Sequence, residues 1–337
     1  MLHIHMAEVC VEGHYWCETL VYGEIQSFSI LLKKIELPNT LRITNSDSKQ
    51  MSYGTESIAL DLICTVISGI PKETLSWMFN GEVLVSDNST DSLKYTIIPD
   101  RTFDYRVYTC QADSRYLKTP LIRNITLNID YPPDVFAIDY NNGTLFCNAT
   151  GNPGIHNYSQ WEHRSSNNKH IRYLDGRQNG YLLIPNLNGL PWFCKSGTYI
   201  CSAENGITNN HRLYSTGSIH VEFEGTPECI LNDFYGYGVL GLNAEISIEV
   251  YCVPKYDAFH WKTSDVNITN SSTKYFIKVA ETHLETVRNY MHIHVARWKF
   301  SLIIYDLNQD DFEYYTLQVR NQNGNTFCGF RLKHTSK

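Results

Sequence analysis

The sequence predicts an all-β chain folded as a string of two-sheet sandwiches, and three observations predict it. The first is an ordered set of landmarks, Cys147, then Trp161, then Tyr199-Ile-Cys201, in which the last lies on an alternating strand closed by the turn-forming pair Asn205-Gly206. The set recurs at a domain-sized period, which outranks any local propensity. The second is length, since 337 residues exceed a single sandwich of about 100 residues. The third is composition, because 13% aromatic residues with 23 tyrosines, and few helical patterns, favour strands.

Taken in order, residues 1–35 hold Gly13-His-Tyr15-Trp-Cys17 and the strand-like Gln26–Lys33, the last two strands of a sandwich whose remainder is absent from the chain. This piece is expected to be poorly anchored and to be completed by upstream sequence, because an isolated hairpin leaves open sheet edges. Residues 36–130 form a complete set, with Cys64, Trp77, a turn at Asn80-Gly81, Asp104 and Tyr108-Thr-Cys110. Residues 131–223 form a second, and the turn Asn188–Cys194 places Trp192 and Phe193 where the next sandwich attaches. Packing at that joint is favoured over a ligand-binding patch. Residues 224–337 form a third, with Cys252, Trp261, Asp311 and Tyr315, but Leu317 stands where the second cysteine belongs. The joints at residues 35–45, 129–134 and 223–227 follow from lost periodicity and from Pro and Gly, which stop strands.

At Tyr108-Thr-Cys110, at Leu127–Val135 with its Tyr-Pro-Pro joint, and at Ser196–Gly206 the chain resembles the immunoglobulin superfamily. More narrowly it is similar to tandem-domain adhesion molecules and receptors of the nectin-like, nephrin-like and hemicentin-like kinds. The resemblance implies tandem immunoglobulin-like β-sandwiches with inter-sheet bridges Cys64–Cys110 and Cys147–Cys201. It implies packed core tryptophans Trp77, Trp161 and Trp261, and tyrosine corners at Tyr108, Tyr199 and Tyr315. Residues 1–35 become the F–G remnant of a variable-like domain, which in nectin-like molecules carries recognition. The first complete sandwich is constant-like. The third is variable-like, since the span from Trp261 to Tyr315 leaves room for an added C′C″ hairpin from Lys274–Val279 and Met291–Val295.

Ten cysteines at sandwich-pairing positions imply an oxidising compartment. For Cys229 two pairings stay open: Cys328, preferred because both fall at one end of the third sandwich, or Cys194 across the joint. Cys252 is expected to face Leu317 as a buried inert thiol, and Cys10 has no assigned partner. Asn-x-Ser/Thr occurs at Asn88, Asn124, Asn142, Asn148, Asn157, Asn267 and Asn270, so a glycosylated surface or secreted protein is expected. No signal peptide and no long apolar run are encoded, so the chain is expected to be a fragment of a longer gene product.

A net charge of −7, spread along the chain, gives no nucleic-acid or polybasic membrane footprint. Nucleophile elbows, phosphate loops and Cys-x-x-Cys motifs are absent, so neither an enzyme nor a cofactor is expected. The pairs His3/His5 and His292/His294 have metal-clasping spacing but read more simply as exposed strand positions, and no metal is expected. The expected function is cell–cell adhesion or recognition of cell-surface proteins, homophilic or heterophilic, by a membrane-anchored or secreted ectodomain. The alternative is a secreted immune recognition protein or decoy receptor for a soluble or microbial ligand.

Overall fold

A computed structural model describes residues 12–141, 143–185, 192–230, 235–264, 266–270, 273–288 and 291–335. The chain divides into two compact units, Met1–Tyr131 and Pro132–Lys337.

The first unit opens with a hairpin, β1 (Gly13–Val21) and β2 (Glu24–Leu32), paired in register from Gly13↔Leu32 to Val21↔Glu24. A sandwich follows. One of its sheets is β3 (Asn39–Ile43), β5 (Leu60–Ile67) and β8 (Ser92–Ile97). The other contains β4 (Met51–Thr55), β6 (Thr74–Phe79), β7 (Glu82–Asp87), β9 (Val107–Asp113) and the first half of β10 (Leu121–Asn141). Side chains alternate across each strand, so Leu62, Cys64 and Val66 of β5 face Leu75, Trp77, Tyr108 and Cys110 in one core.

In the second unit β10 runs on beside β11 (Thr144–Asn152) and β15 (Tyr181–Leu183). The facing sheet is β12 (Asn157–Tyr158), β13 (Trp161–Arg164), β14 (His170–Leu174), β16 (Gly197–Glu204) and β17 (Ser215–Val221). Leu145, Cys147, Trp161, Tyr199 and Cys201 fill the space between them.

The third sandwich has one sheet ordered β18 (Glu228–Ile230), β20 (Ala244–Tyr251), β24 (Met291–Ile304), β23 (Tyr275–Arg288). The other is ordered β19 (Tyr235–Gly238), β26 (Gly324–His334), β25 (Tyr314–Asn321), β21 (Ala258–Lys262), β22 (Asn267–Ile268). Its core gathers Ile246, Ile248, Trp261, Phe300, Tyr315 and Leu317.

Two expectations for this sandwich are corrected. The segments Lys274–Val279 and Met291–Val295 form no added C′C″ hairpin. Apart from Lys274, they belong to β23 and β24, which pair over their full length, from Tyr275↔Ile304 to Arg288↔Met291. The extra length is therefore an extension of one hairpin in the β18–β20–β24–β23 sheet. It projects beyond the last β20 pair, Val250↔Trp298, and runs alongside β14 of the second sandwich.

Nor does Cys252 face Leu317. In the first sandwich Leu60 pairs with Ile97 and Cys64 with Leu93, and in the third Ala244 pairs with Ile304 and Ile248 with Phe300. Ile97 and Ile304 stand equally far before Asp104 and Asp311, so Ile248 holds the place that Cys64 holds. Trp261 pairs with Leu317 as Trp77 pairs with Cys110. The position of the usual bridge is thus filled by the apolar pair Ile248 and Leu317, both fully buried. Cys252 lies past the end of β20, where its thiol donates to the Pro254 carbonyl at 3.2 Å and Asn321 Nδ2 stands 3.6 Å away.

Candidate functional site

Three bridges are formed, Cys64–Cys110, Cys147–Cys201 and Cys229–Cys328. The third joins β18 to β26, one strand outward from Ile248 and Leu317, because Cys229 pairs in register with Val250 and Cys328 with Leu317. The two sheets are still tied covalently, but through the first and last strands. Cys194 and Cys252 are buried thiols and Cys17 is an exposed one. Burial pushes the Cys252 thiol up to about 11, which leaves it un-ionised and unreactive at neutral pH.

Trp77, Trp161 and Trp261 are each 0–1% exposed. The Trp77 indole donates to the Leu93 carbonyl at 3.1 Å, whereas Trp261 Nε1 is buried without a hydrogen-bond partner. Tyr199 donates to the Lys195 carbonyl at 2.6 Å and Tyr315 to the Asp311 carbonyl at 2.9 Å. In the first sandwich the corner near Tyr108 is tied by Asp104, whose carboxylate accepts the Ile129 N–H at 2.9 Å. Gly197 precedes Tyr199 at φ +143°, and a Cβ there would collide with the Arg164 carbonyl, so only glycine lets the two strands meet.

His163 carries a signal that sequence reading missed. It is fully buried and stacks on Tyr199, with ring centroids 4.3 Å apart. Burial, aided by the neighbouring Arg172 guanidinium, pushes its pKa down to about 4 from 6.5. Unfolding therefore takes up a proton between those two values. Stability is full above the unfolded pKa and falls as pH drops toward the folded one, a loss of about 3 kcal/mol. Thermal melts from neutral to acid pH should show this fall, and His163→Gln should flatten it.

Trp192 and Phe193 pack at the joint of the second and third sandwiches. Their rings lie 4.9 and 4.5 Å from that of Tyr251, in a cluster with Cys194, Ile230 and Ile171. Burial raises the Tyr251 hydroxyl to about 12. Gly225 passes under the Trp192 ring with no room for a Cβ, and its N–H donates to the Val253 carbonyl at 2.9 Å.

The hairpin β1–β2 offers apolar side chains on both faces. Trp16, Leu20, Ile25, Phe28 and Ile30 are each 61–72% exposed. Directly opposed residues share a face, which groups Tyr15, Cys17, Phe28 and Ile30 on one side and Trp16, Leu20 and Ile25 on the other.

Asn88, Asn124, Asn157, Asn267 and Asn270 are exposed and Asn148 is half-buried on β11. Asn142, Cys10, His3 and His5 lie outside the described residues, as do the side chains of His292 and His294. Among the described residues no group of three His, Cys, Asp or Glu is placed to hold a metal ion. No helix among them is long and apolar enough to cross a membrane.

No family model matches the chain. Human Nectin-2 is 23% identical over 225 residues, covering 61% of this chain and 39% of that protein. Mouse Neural cell adhesion molecule 1 is 25% identical over 265 residues, covering 72% of this chain and 22% of that protein. The chain thus spans less than two fifths of the length of either relative. Among solved structures, the complex of Dpr2 Ig1-Ig2 with DIP-Theta Ig1-Ig3 gives a TM-score of 0.47 at 19% identity, covering 89% of this chain and 100% of that one. The N-terminal eight Ig domains of Down Syndrome Cell Adhesion Molecule give 0.31 at 16%, covering 96% and 40%. Its bridged sheets and buried core tryptophans build tandem immunoglobulin-like β-sandwiches, and by sequence the chain is similar to the tandem-domain adhesion proteins Nectin-2 and Neural cell adhesion molecule 1.

Proposed function

We propose that the chain is part of the ectodomain of a glycosylated surface protein that mediates cell–cell adhesion or surface recognition by protein–protein contact. The observation that carries this reading is the similarity, across 61% and 72% of the chain, to Nectin-2 and to Neural cell adhesion molecule 1. The bridged cysteines fit an oxidising, extracellular compartment. The hairpin β1–β2 is read as the F–G pair of a further sandwich. Its Tyr15, Cys17, Phe28 and Ile30 face is the inward one, which needs a second sheet against it, and its other face carries Trp16 and Leu20 toward a partner.

In this reading the residue ranges 36–130, 131–223 and 224–337 act as separate sandwich domains, and the exposed sequons carry N-glycans. Enzymatic removal of N-glycans from protein secreted by animal cells should lower its mass in several steps.

The functional test displays the ectodomain on cells of one colour mixed with bare cells of another. Clusters of displaying cells alone indicate homophilic adhesion, and mixed clusters indicate a different surface partner. No clusters of either kind would sink the adhesion reading.

A further inference from the structure

Carboxylates are segregated between the two sheets of the third sandwich, while basic residues occur on both. None of the strands β19, β21, β22, β25 and β26 contains an Asp or Glu, yet together they carry Lys262, Arg320, Arg331 and Lys333. The opposite sheet holds glutamates on β18, β20 and β23. At the ends of the cationic sheet, Asp257 is engaged by Arg320 at 2.9 Å and Glu313 accepts from Ser264 at 3.3 Å.

Register collects these cations with aromatic rings on one outward face. Tyr235 lies beside Arg331 and Tyr237 beside Lys333, Tyr314 opposes Arg331, and Gln318 opposes Phe327. The alternate positions, among them Tyr315, Leu317 and Leu332, fill the core. The four outward rings are 45–62% exposed, well above what a packed side chain shows. Lys333 Nζ stands 4.1 Å from the Tyr235 ring centroid and Lys262 Nζ 5.3 Å from that of Phe327, so each ammonium is held over a ring. The Tyr314 ring lies over Gly329, where any Cβ would collide with its hydroxyl, which keeps that ring flat on the sheet.

An open face of exposed rings and held cations, with no carboxylate on its strands, is matched by a polymer of sugar rings bearing anionic groups. Pyranose faces stack on the aromatic rings, and sulfate or carboxylate groups take charge-assisted hydrogen bonds from lysine and arginine. One such polymer supplies both the stacking face and the anions, whereas an acidic peptide supplies only the second. We propose that this face binds a sulfated, uronate-bearing polysaccharide of the extracellular surface, an inference that rests on the extracellular placement proposed above. Asn267, the register partner of Lys262 on the edge strand β22, shares this face, so a glycan there would cover its Lys262 end.

The test measures binding of the full chain to immobilised heparin, with and without Asn267→Gln, against hyaluronan and poly-L-glutamate as comparison polymers. Heparin should bind at physiological salt and weaken steeply as salt rises. The triple change Lys262→Gln, Arg331→Gln, Lys333→Gln should weaken it by about tenfold or more. Lys278→Gln with Lys299→Gln, on the opposite sheet, should not. Tyr235→Ser with Tyr237→Ser should weaken binding without changing the salt slope, and an unchanged melting curve shows that each variant folds. No heparin binding, equal losses from the two lysine sets, or tighter binding of poly-L-glutamate than heparin would each overturn the proposal, the last in favour of an acidic protein partner. Displaying cells that carry the triple change are scored in the aggregation assay alongside. Clustering of the triple-change cells shows that adhesion does not depend on this face, whereas clustering of unaltered cells whose protein does not bind heparin leaves the adhesion reading standing while this one fails.

Discussion

Replacing Cys229 and Cys328 together by alanine is expected to lower the stability of the third sandwich by about 2–5 kcal/mol. The bridge closes a loop of 99 residues, longer than the 46 and 54 of the other two, and the entropy withheld from the unfolded chain grows with loop length. No second covalent tie shares that role, since Ile248 and Leu317 occupy the usual inter-sheet position and contribute only packing. Denaturant unfolding of the isolated unit Pro132–Lys337 gives the number. A loss below about 1 kcal/mol would mean that structure retained in the reduced, unfolded chain already limits its freedom, contrary to the loop-entropy account.

Phe193→Ala is expected to cost about 3–5 kcal/mol and to separate the melting of the second and third sandwiches. Phe193 is 3% exposed and Tyr251 2%, so truncation opens a cavity lined by aromatic rings that cannot easily close. The two sandwiches share this cluster, so calorimetry should show one transition in the native unit and two in the variant. A single transition displaced to lower temperature would show that the β23–β24 hairpin beside β14 couples them instead.

The all-β tandem fold was legible because its markers are local. A tyrosine two residues before a strand cysteine, or an aspartate four before a tyrosine, reports a corner that side chain and backbone close within a few residues. Partner choice was not legible in the same way. Cys252 and Ile248 share strand parity, so alternation could not tell which one stands opposite Leu317. That needed the pairing Ala244↔Ile304 to fix the register. The segments Lys274–Val279 and Met291–Val295 read correctly as strands, but whether they formed a new hairpin or lengthened an existing one depended on contacts remote in sequence. The cationic face shows the same limit. Tyr235, Lys262 and Arg331 lie far apart along the chain and become neighbours only through the parallel pairing of β19 with β26 and the antiparallel run through β25 to β21.

The route of the Cys229–Cys328 bridge has a mechanical consequence for the chain under tension. A pull applied across the third sandwich enters near β18 and leaves near β26, the strands the bridge joins. The load passes through the covalent link and the sheets between are never stretched, so about 330 Å of chain cannot be paid out under tension. The first sandwich is bridged between inner strands instead, at Cys64 and Cys110, which leaves its β3 and β10 strands outside the covalent loop. Under increasing force the first sandwich should lengthen by unpeeling those strands while the third keeps its length. In a reducing buffer that difference should disappear.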